Sequence, residues 1–245
     1  MSSVEYGPNG AVMRPDKEGL DQIKQELAQR EHAYPDGKTR PVGIFARYAR
    51  ILLIVWCVEL LLQSGMVAGL LFAPSSMPGP FYEIGGDERM NLAVLSDWLI
   101  LLTGIAAFVL VGRFTYRAQK NLFTIGSPHA RMAPGWTVGW YFIPFANFWM
   151  PVMGMSQIYR GSQAAVGDKA GAGTLLAVWW GSWLFRGVPS WLAGIWSDSL
   201  MMVFLLLMAS AVLSIVAGVS LIRIISDVDA RQEMLGRGGV ATVFD

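Results

Sequence analysis

Residues 133–160, APGWTVGWYFIPFANFWMPVMGMSQIYR, decide how the chain is read. The stretch is apolar and aromatic enough to enter a bilayer, yet Pro144, Asn147 and Pro151 fall within two helical turns. A proline removes a backbone donor and its ring clashes with the carbonyl four residues earlier, so one straight helix is not expected. In hydrocarbon, the backbone groups freed in this way need partners from protein or water. The spacing predicts a broken, partly inserted segment, re-entrant or interfacial, flanked by ordinary spanning hairpins.

Composition points the same way. With 53% hydrophobic residues over 245 positions and a mean hydropathy of +0.42, the chain is too apolar for an ordinary soluble domain. The apolar residues cluster in long runs almost without charge, as membrane spans do. A net charge of +1 and the lack of any basic-aromatic motif give no reason to expect nucleic acid as a partner. Cys57 is the only cysteine, so neither an internal disulfide nor a thiolate metal cluster can form. The first forty residues are polar and the first apolar run is too long for a signal peptide, so an uncleaved anchor is expected.

Three regions follow: a polar N-terminal segment (1–40), a membrane domain (41–225) and a C-terminal tail (226–245). Residues 1–15 read as disordered, and 16–32 as a short amphipathic helix with Leu20, Ile23 and Leu27 on one stripe. Pro35-Asp36-Gly37 ends it. A first span covers 44–72. Lys38, Arg40, Arg47 and Arg50 precede its strongest part, 51–71, whereas Glu83, Asp87 and Glu88 mark the loop beyond, so the N-terminus is expected in the cytoplasm. A second span, 91–112, returns inward and ends on Arg113, Arg117 and Lys120. These lie at helical spacing and form a stripe that either holds anionic headgroups or simply signals topology. After the central segment come a Gly/Ala linker (161–173), a further apolar stretch (174–196), and a last span (200–222) followed by Arg223, Arg231 and Arg237. Residues 236–245 read as a loose tail.

The positive-inside rule decides between the arrangements. A full crossing by the central segment would put the tail arginines outside; a re-entrant one keeps both termini, Arg160 and Lys169 inside. The fold expected is therefore all-α: a polytopic integral membrane helical bundle of four full spans plus one Pro-broken re-entrant or interfacial segment.

Tyr116-Arg117-Ala118-Gln119-Lys120-Asn121-Leu122 is followed by Ala133-Pro134-Gly135-Trp136 and then by Gly139-Trp140-Tyr141-Phe142-Ile143-Pro144-Phe145-Ala146-Asn147-Phe148-Trp149-Met150-Pro151. This pattern resembles the core of a bacterial membrane family catalogued as domain of unknown function 4328. The family pairs a basic exit helix with a Gly-Trp…Ile-Pro…Asn…Trp-Pro segment, here Gly135, Trp136, Trp140, Pro144, Asn147, Trp149 and Pro151. The resemblance extends from about residue 44 to 231 and implies an inner-membrane domain without implying any chemistry.

No catalytic set is found. The only histidines, His32 and His129, both lie outside the spans, which disfavours a haem bundle. HExxH, GxSxG, P-loop and GxGxxG patterns do not occur. No metal site and no cofactor are expected. Charges within the spans are the better lead, because burying a charge in lipid is expensive. Glu59 lies about 12 Å and Arg186 about 16 Å along their respective spans at a helical rise of roughly 1.5 Å per residue. A polar pocket of Glu59, Gln63, Asn147 and Arg186 is one expectation, with Glu59 and Arg186 paired. The other is that the span ends at Phe185 and Arg186 snorkels to the outer headgroups.

Small residues at Ser210, Ser214 and Gly218, and at Gly65 and Gly69, mark seams where helices can approach closely. Function is expected to be that of a non-enzymatic scaffold or accessory subunit, in contact with membrane lipids and meeting a protein partner through its cytoplasmic tails. A transport or lipid-handling role around Glu59, Asn147 and Arg186 is the alternative. The oligomeric state is left open.

Overall fold

A computed structural model describes residues 17–72, 86–168, 173–196 and 198–241. The expectations for the N-terminal tail, for Glu83 and for Lys169 lie outside them. All regular structure among the described residues is helical. The long elements are α1 (Lys17–His32), α2 (Gly43–Phe72), α3 (Gly86–Thr124), α5 (Met150–Ala165), α6 (Gly173–Phe185), α7 (Gly187–Ile195) and α8 (Leu200–Ala241). The short α4 (Trp136–Gly139) and two 3-10 turns, Trp140–Phe142 and Ala146–Phe148, lie between α3 and α5.

Among the described residues, two helices are long and apolar enough to cross a membrane, Val94–Thr124 and Leu200–Gly236, and only 11% of each apolar window is buried in the protein. A core helix of a soluble protein would be mostly buried. Leu101, Leu102, Ile105, Leu205 and Val212 are instead exposed, so these helices point to a membrane environment. Four full spans are not reached by this criterion. The stretch at 174–196, expected as one span, is split into α6 and α7.

Pro189 causes that split. It has no N–H for the carbonyl of Phe185, so the helix is broken at Arg186, although Arg186 itself keeps helical torsion angles (φ −57°, ψ −30°).

The central segment is broken as its prolines require. Ile143 is pushed to extended geometry (φ −101°, ψ 111°) by Pro144 behind it. Pro151 acts differently from the expectation. It sits in the first turn of α5, where no intrahelical donor is needed, and so starts a helix instead of interrupting one. Two boundaries also differ. Residues 161–165, expected as linker, complete α5, and α8 continues to Ala241 where a loose tail was expected from Gly236.

The core lies at one end of the bundle, called here the base. Val42 just before α2, Ala46 and Ala49 of α2, Phe114 and Ala118 of α3, Met155 and Ile158 of α5, and Ile224, Ile225 and Val228 of α8 are all buried together. Farther along, α2 and α8 touch where glycine allows it: a Cβ on Gly218 would lie 2.6 Å from Cys57 Sγ. By contrast, a Cβ on Gly65 would meet nothing, so that glycine marks no close approach. The stripe Leu20, Ile23 and Leu27 of α1 is exposed; α1 docks instead through Ala28 against Leu122, Phe123 and Ala130, and through His32 edge-on to Phe123.

Gly218→Ala should lower the melting temperature of detergent-solubilised protein, since overpacking costs about 1–3 kcal/mol. Adding Cys57→Ala, which removes the clashing sulfur, should restore most of the loss. Equal melting of the single and double variants would show that the contact does not hold α2 to α8.

Candidate functional site

The strongest polar organisation is at the base, around Asn121. Its Oδ1 accepts from the backbone N–H of Arg40 at 2.8 Å, while its Nδ2 donates to the carbonyl of Arg40 and to Gln232 Oε1, both at 2.8 Å. Gln232 Nε2 then donates to the Ala118 carbonyl (3.1 Å) and to Ser162 Oγ (3.2 Å). Asn121, Gln232 and Ser162 are all buried. One amide pair thus ties the strap before α2 to the ends of α3, α5 and α8.

A second amide holds the entry to the central segment. Buried Gln119 donates to the Met132 carbonyl at 2.7 Å and to Gln157 Oε1 at 3.3 Å. Gln157 Oε1 also accepts from the N–H groups of Arg131 (3.1 Å) and Met132 (2.9 Å). Leu122, between these amides, packs so closely on α5 that a Cβ on Gly161 would lie 2.6 Å from its Cδ1.

The three basic residues of the expected lipid stripe separate. Arg117 donates to the Pro41 carbonyl at 3.0 Å and sits 5.0 Å from the Phe45 ring centroid. Lys120 lies 4.6 Å from the ring centroid of Tyr34, and Arg40 lies 5.2 Å from the same centroid. Arg113 is exposed. Two of the three therefore hold the chain together, and only Arg113 keeps the free-stripe geometry.

On the far side of the base, Tyr159 donates to Asp227 Oδ2 at 2.6 Å. Arg231 binds Asp168 Oδ2 through Nε (3.1 Å) and Nη2 (2.9 Å) and stacks 4.7 Å from the Tyr159 ring centroid. Burial, followed by the hydrogen bond to Asp227, pushes the Tyr159 hydroxyl above its ordinary pKa, so it stays a donor at neutral pH. Two clefts of about 380 Å³ each open at this end, one beside Asp168, Asp227 and Arg231, the other between His32, Tyr116, Lys120 and Trp136.

The central segment is clamped at its exit as well. Trp180 Nε1 donates to the Phe148 carbonyl at 2.7 Å. Trp136 stacks on Trp140 at 4.7 Å, and Tyr141 meets Phe108 edge-on at 5.4 Å. Phe142, Phe145, Phe148 and Trp149 remain exposed, which gives the segment an apolar apex. Asn147 Oδ1 is buried without a hydrogen-bond partner.

The expected intramembrane residues do not converge. Glu59 Oε1 accepts from Thr103 Oγ1 at 3.1 Å, Gln63 pairs with Asp97, and Arg186 lies 4.1 Å from the Trp183 ring centroid and 6.0 Å from that of Trp56. Among the described residues no hydrogen bond or ion pair joins Glu59, Arg186 and Asn147 to one another. The pairing of Glu59 with Arg186 is thus not formed: the guanidinium lies on an indole face, a cation–π contact that needs no carboxylate. α6 does end at Phe185, the end that the alternative expected. The carbonyl of Arg186 accepts from Ser210 Oγ at 2.7 Å, and Ser210 is in the middle of the apolar run of α8.

The family model for a domain of unknown function, DUF4328, matches residues 88–230, more than half of the chain. The chain belongs to this family. The DUF4328 match begins at α3, later than the residue 44 suggested by the motifs, and leaves α1 and α2 outside it. Comparison with curated proteins and with solved structures finds no match. The DUF4328 segment contains Asn121, Gln119 and Gln157 but stops short of Gln232, so the strap and the last turns of α8 complete the base from outside the matched region.

Among the described residues no cluster of three metal-ligating side chains occurs. Arg117→Gln should lower the melting temperature, by the roughly 1 kcal/mol of a charge-assisted hydrogen bond and its ring contact, whereas Arg113→Gln should leave it unchanged. Equal effects in thermal unfolding would return both residues to a common surface stripe.

Proposed function

We propose that the protein is a non-enzymatic scaffold or accessory subunit of the bacterial inner membrane. In this reading α2 and the α6–α7 pair accompany α3 and α8 through the bilayer, both termini are cytoplasmic, and the Pro144 segment enters from the cytoplasmic side and returns. The observation that carries it is how the family motif is used: Arg117, Gln119, Lys120 and Asn121 all make contacts within the chain, which builds a stiff platform and leaves no polar set free for catalysis. The arginines at 47, 50, 113, 117, 131, 160, 223 and 231 gather toward this end, as a cytoplasmic face requires. The apolar apex at Phe142, Phe145 and Phe148 suits lipid better than water.

Gentle extraction and chemical crosslinking of the native membrane test the role. A stoichiometric protein partner, crosslinked to α1 or to the end of α8, is the expected result. A chain recovered with lipid alone favours the second reading, transport or lipid handling. The buried, unpartnered oxygens of Glu59 and Asn147 give that reading its support.

Topology has its own check. In an Asp245→Cys variant, an impermeant maleimide should react only after the membrane is permeabilised. Reaction in intact cells would put the C-terminus outside and remove the re-entrant segment from the account.

A further inference from the structure

We infer that the cleft between α1, the end of α3 and the start of α4 binds the headgroup of one phospholipid carrying a primary ammonium, of the phosphatidylethanolamine class. The inference rests on the reading of α3 as a membrane helix and not on the scaffold role.

Glu31 and His32 of α1 line one side of this cleft, Tyr116 and Lys120 of α3 a second, and residues 133–136 a third. Its volume of about 380 Å³ falls within the range of small-molecule sites. It opens where the apolar helix Val94–Thr124 ends, with Lys120 about one turn from that end. Tyr116 and Trp136 are exposed here, and such amphipathic rings favour the boundary between membrane and water.

Two opposite charges share the cleft without neutralising each other. Among the described residues the Lys120 ammonium meets the Tyr34 ring at 4.6 Å and pairs with no carboxylate. That contact engages the ring face and leaves three N–H donors for an acceptor. Arg40, on the same ring at 5.2 Å, is already paired with Asp36, and Arg117 donates to the Pro41 carbonyl. Glu31 forms no ion pair among the described residues, and His32 meets Phe123 edge-on at 5.2 Å. A ligand bearing both a phosphate and an ammonium matches this set. The phosphate accepts from Lys120, and the ammonium donates to Glu31, each a charge-assisted hydrogen bond.

Gly135 supplies a separate observation. Its torsion angles, φ −65° and ψ −38°, suit any residue, and a Cβ there would meet nothing within 4 Å. Neither the backbone nor the packing of this chain calls for glycine at that point of the cleft wall. A bare backbone does allow close approach of a ligand. The carboxylate of Glu31 sets the headgroup class: it opposes a lipid of net negative charge, and it gains no N–H donor from a quaternary ammonium.

Native mass spectrometry of the full chain in detergent, offered equal amounts of phosphatidylethanolamine, phosphatidylcholine and phosphatidylglycerol, tests the site. One phosphatidylethanolamine per chain should be retained about tenfold over the other two, the equivalent of one charge-assisted hydrogen bond. Glu31→Gln, which removes no ion pair within the described chain, should abolish the preference, as should Lys120→Gln; Arg113→Gln should leave it intact. Equal retention of the three lipids, or a preference that survives Glu31→Gln, overturns the proposal. So does a preference for phosphatidylglycerol lost equally in Lys120→Gln and Arg113→Gln, which would be an undifferentiated basic stripe. Free phosphoethanolamine displacing the lipid at equal concentration would assign the cleft to a soluble phosphate ester and overturn the lipid as its occupant. Release of the chain from membranes by alkaline carbonate is a distinct failure, that of the membrane reading on which the proposal rests.

Discussion

The buried amide pair of Asn121 and Gln232 is the constraint on which the rest of the structure depends. A primary amide taken out of water costs energy unless its donors and acceptor are matched, and here nearly every one is. Because Asn121 binds both the N–H and the carbonyl of Arg40, it specifies the path of the strap and not merely its proximity. Because Gln232 turns to Ala118 and Ser162 with its remaining donors, α8 can meet α3 and α5 in only one rotational setting. Apolar packing of Phe114, Ile158, Ile224 and Val228 adds most of the driving force around this pair, but hydrophobic contact alone does not choose a register.

From that fixed base the helices reach into surroundings the protein does not itself fill. Their apolar side chains there are exposed, as on helices that pack against lipid. The proline-broken segment would have little order of its own, since 3-10 turns are weak and its apex is aromatic. It is held at both ends instead, by Gln119 and Gln157 at Met132 and by Trp180 at Phe148. The piece with the least intrinsic structure is thus positioned by side chains of the helices on either side of it.

Much of this was legible in the residues, and the limits have physical causes. Pro144 forecast the break correctly because removing a donor and adding a ring clash are local effects. Pro151 misled because the same chemistry is harmless in a first helical turn. The motif 116–122 was visible, but its arginine and lysine drew attention from Gln119 and Asn121, whose partners lie far along the chain at 132, 157 and 232. Glu59 and Arg186 were singled out as a charge pair. Depth along a helix, however, says nothing of rotation about it, and the indoles of Trp183 and Trp56 took the guanidinium instead. The end of α8 was misjudged because a glycine-containing polar stretch looks frayed unless the helix has already been propagated into it.

The most direct measurement is a double-mutant cycle on the amide pair, read by thermal or denaturant unfolding in detergent with Asn121→Leu, Gln232→Leu and both together. Each single change leaves a buried partner unmatched and should cost about 1–3 kcal/mol, while the double change should cost less than their sum by roughly 0.5–3 kcal/mol. Strictly additive losses, or single variants that melt like the parent, would contradict the claim that this pair sets the geometry of the base.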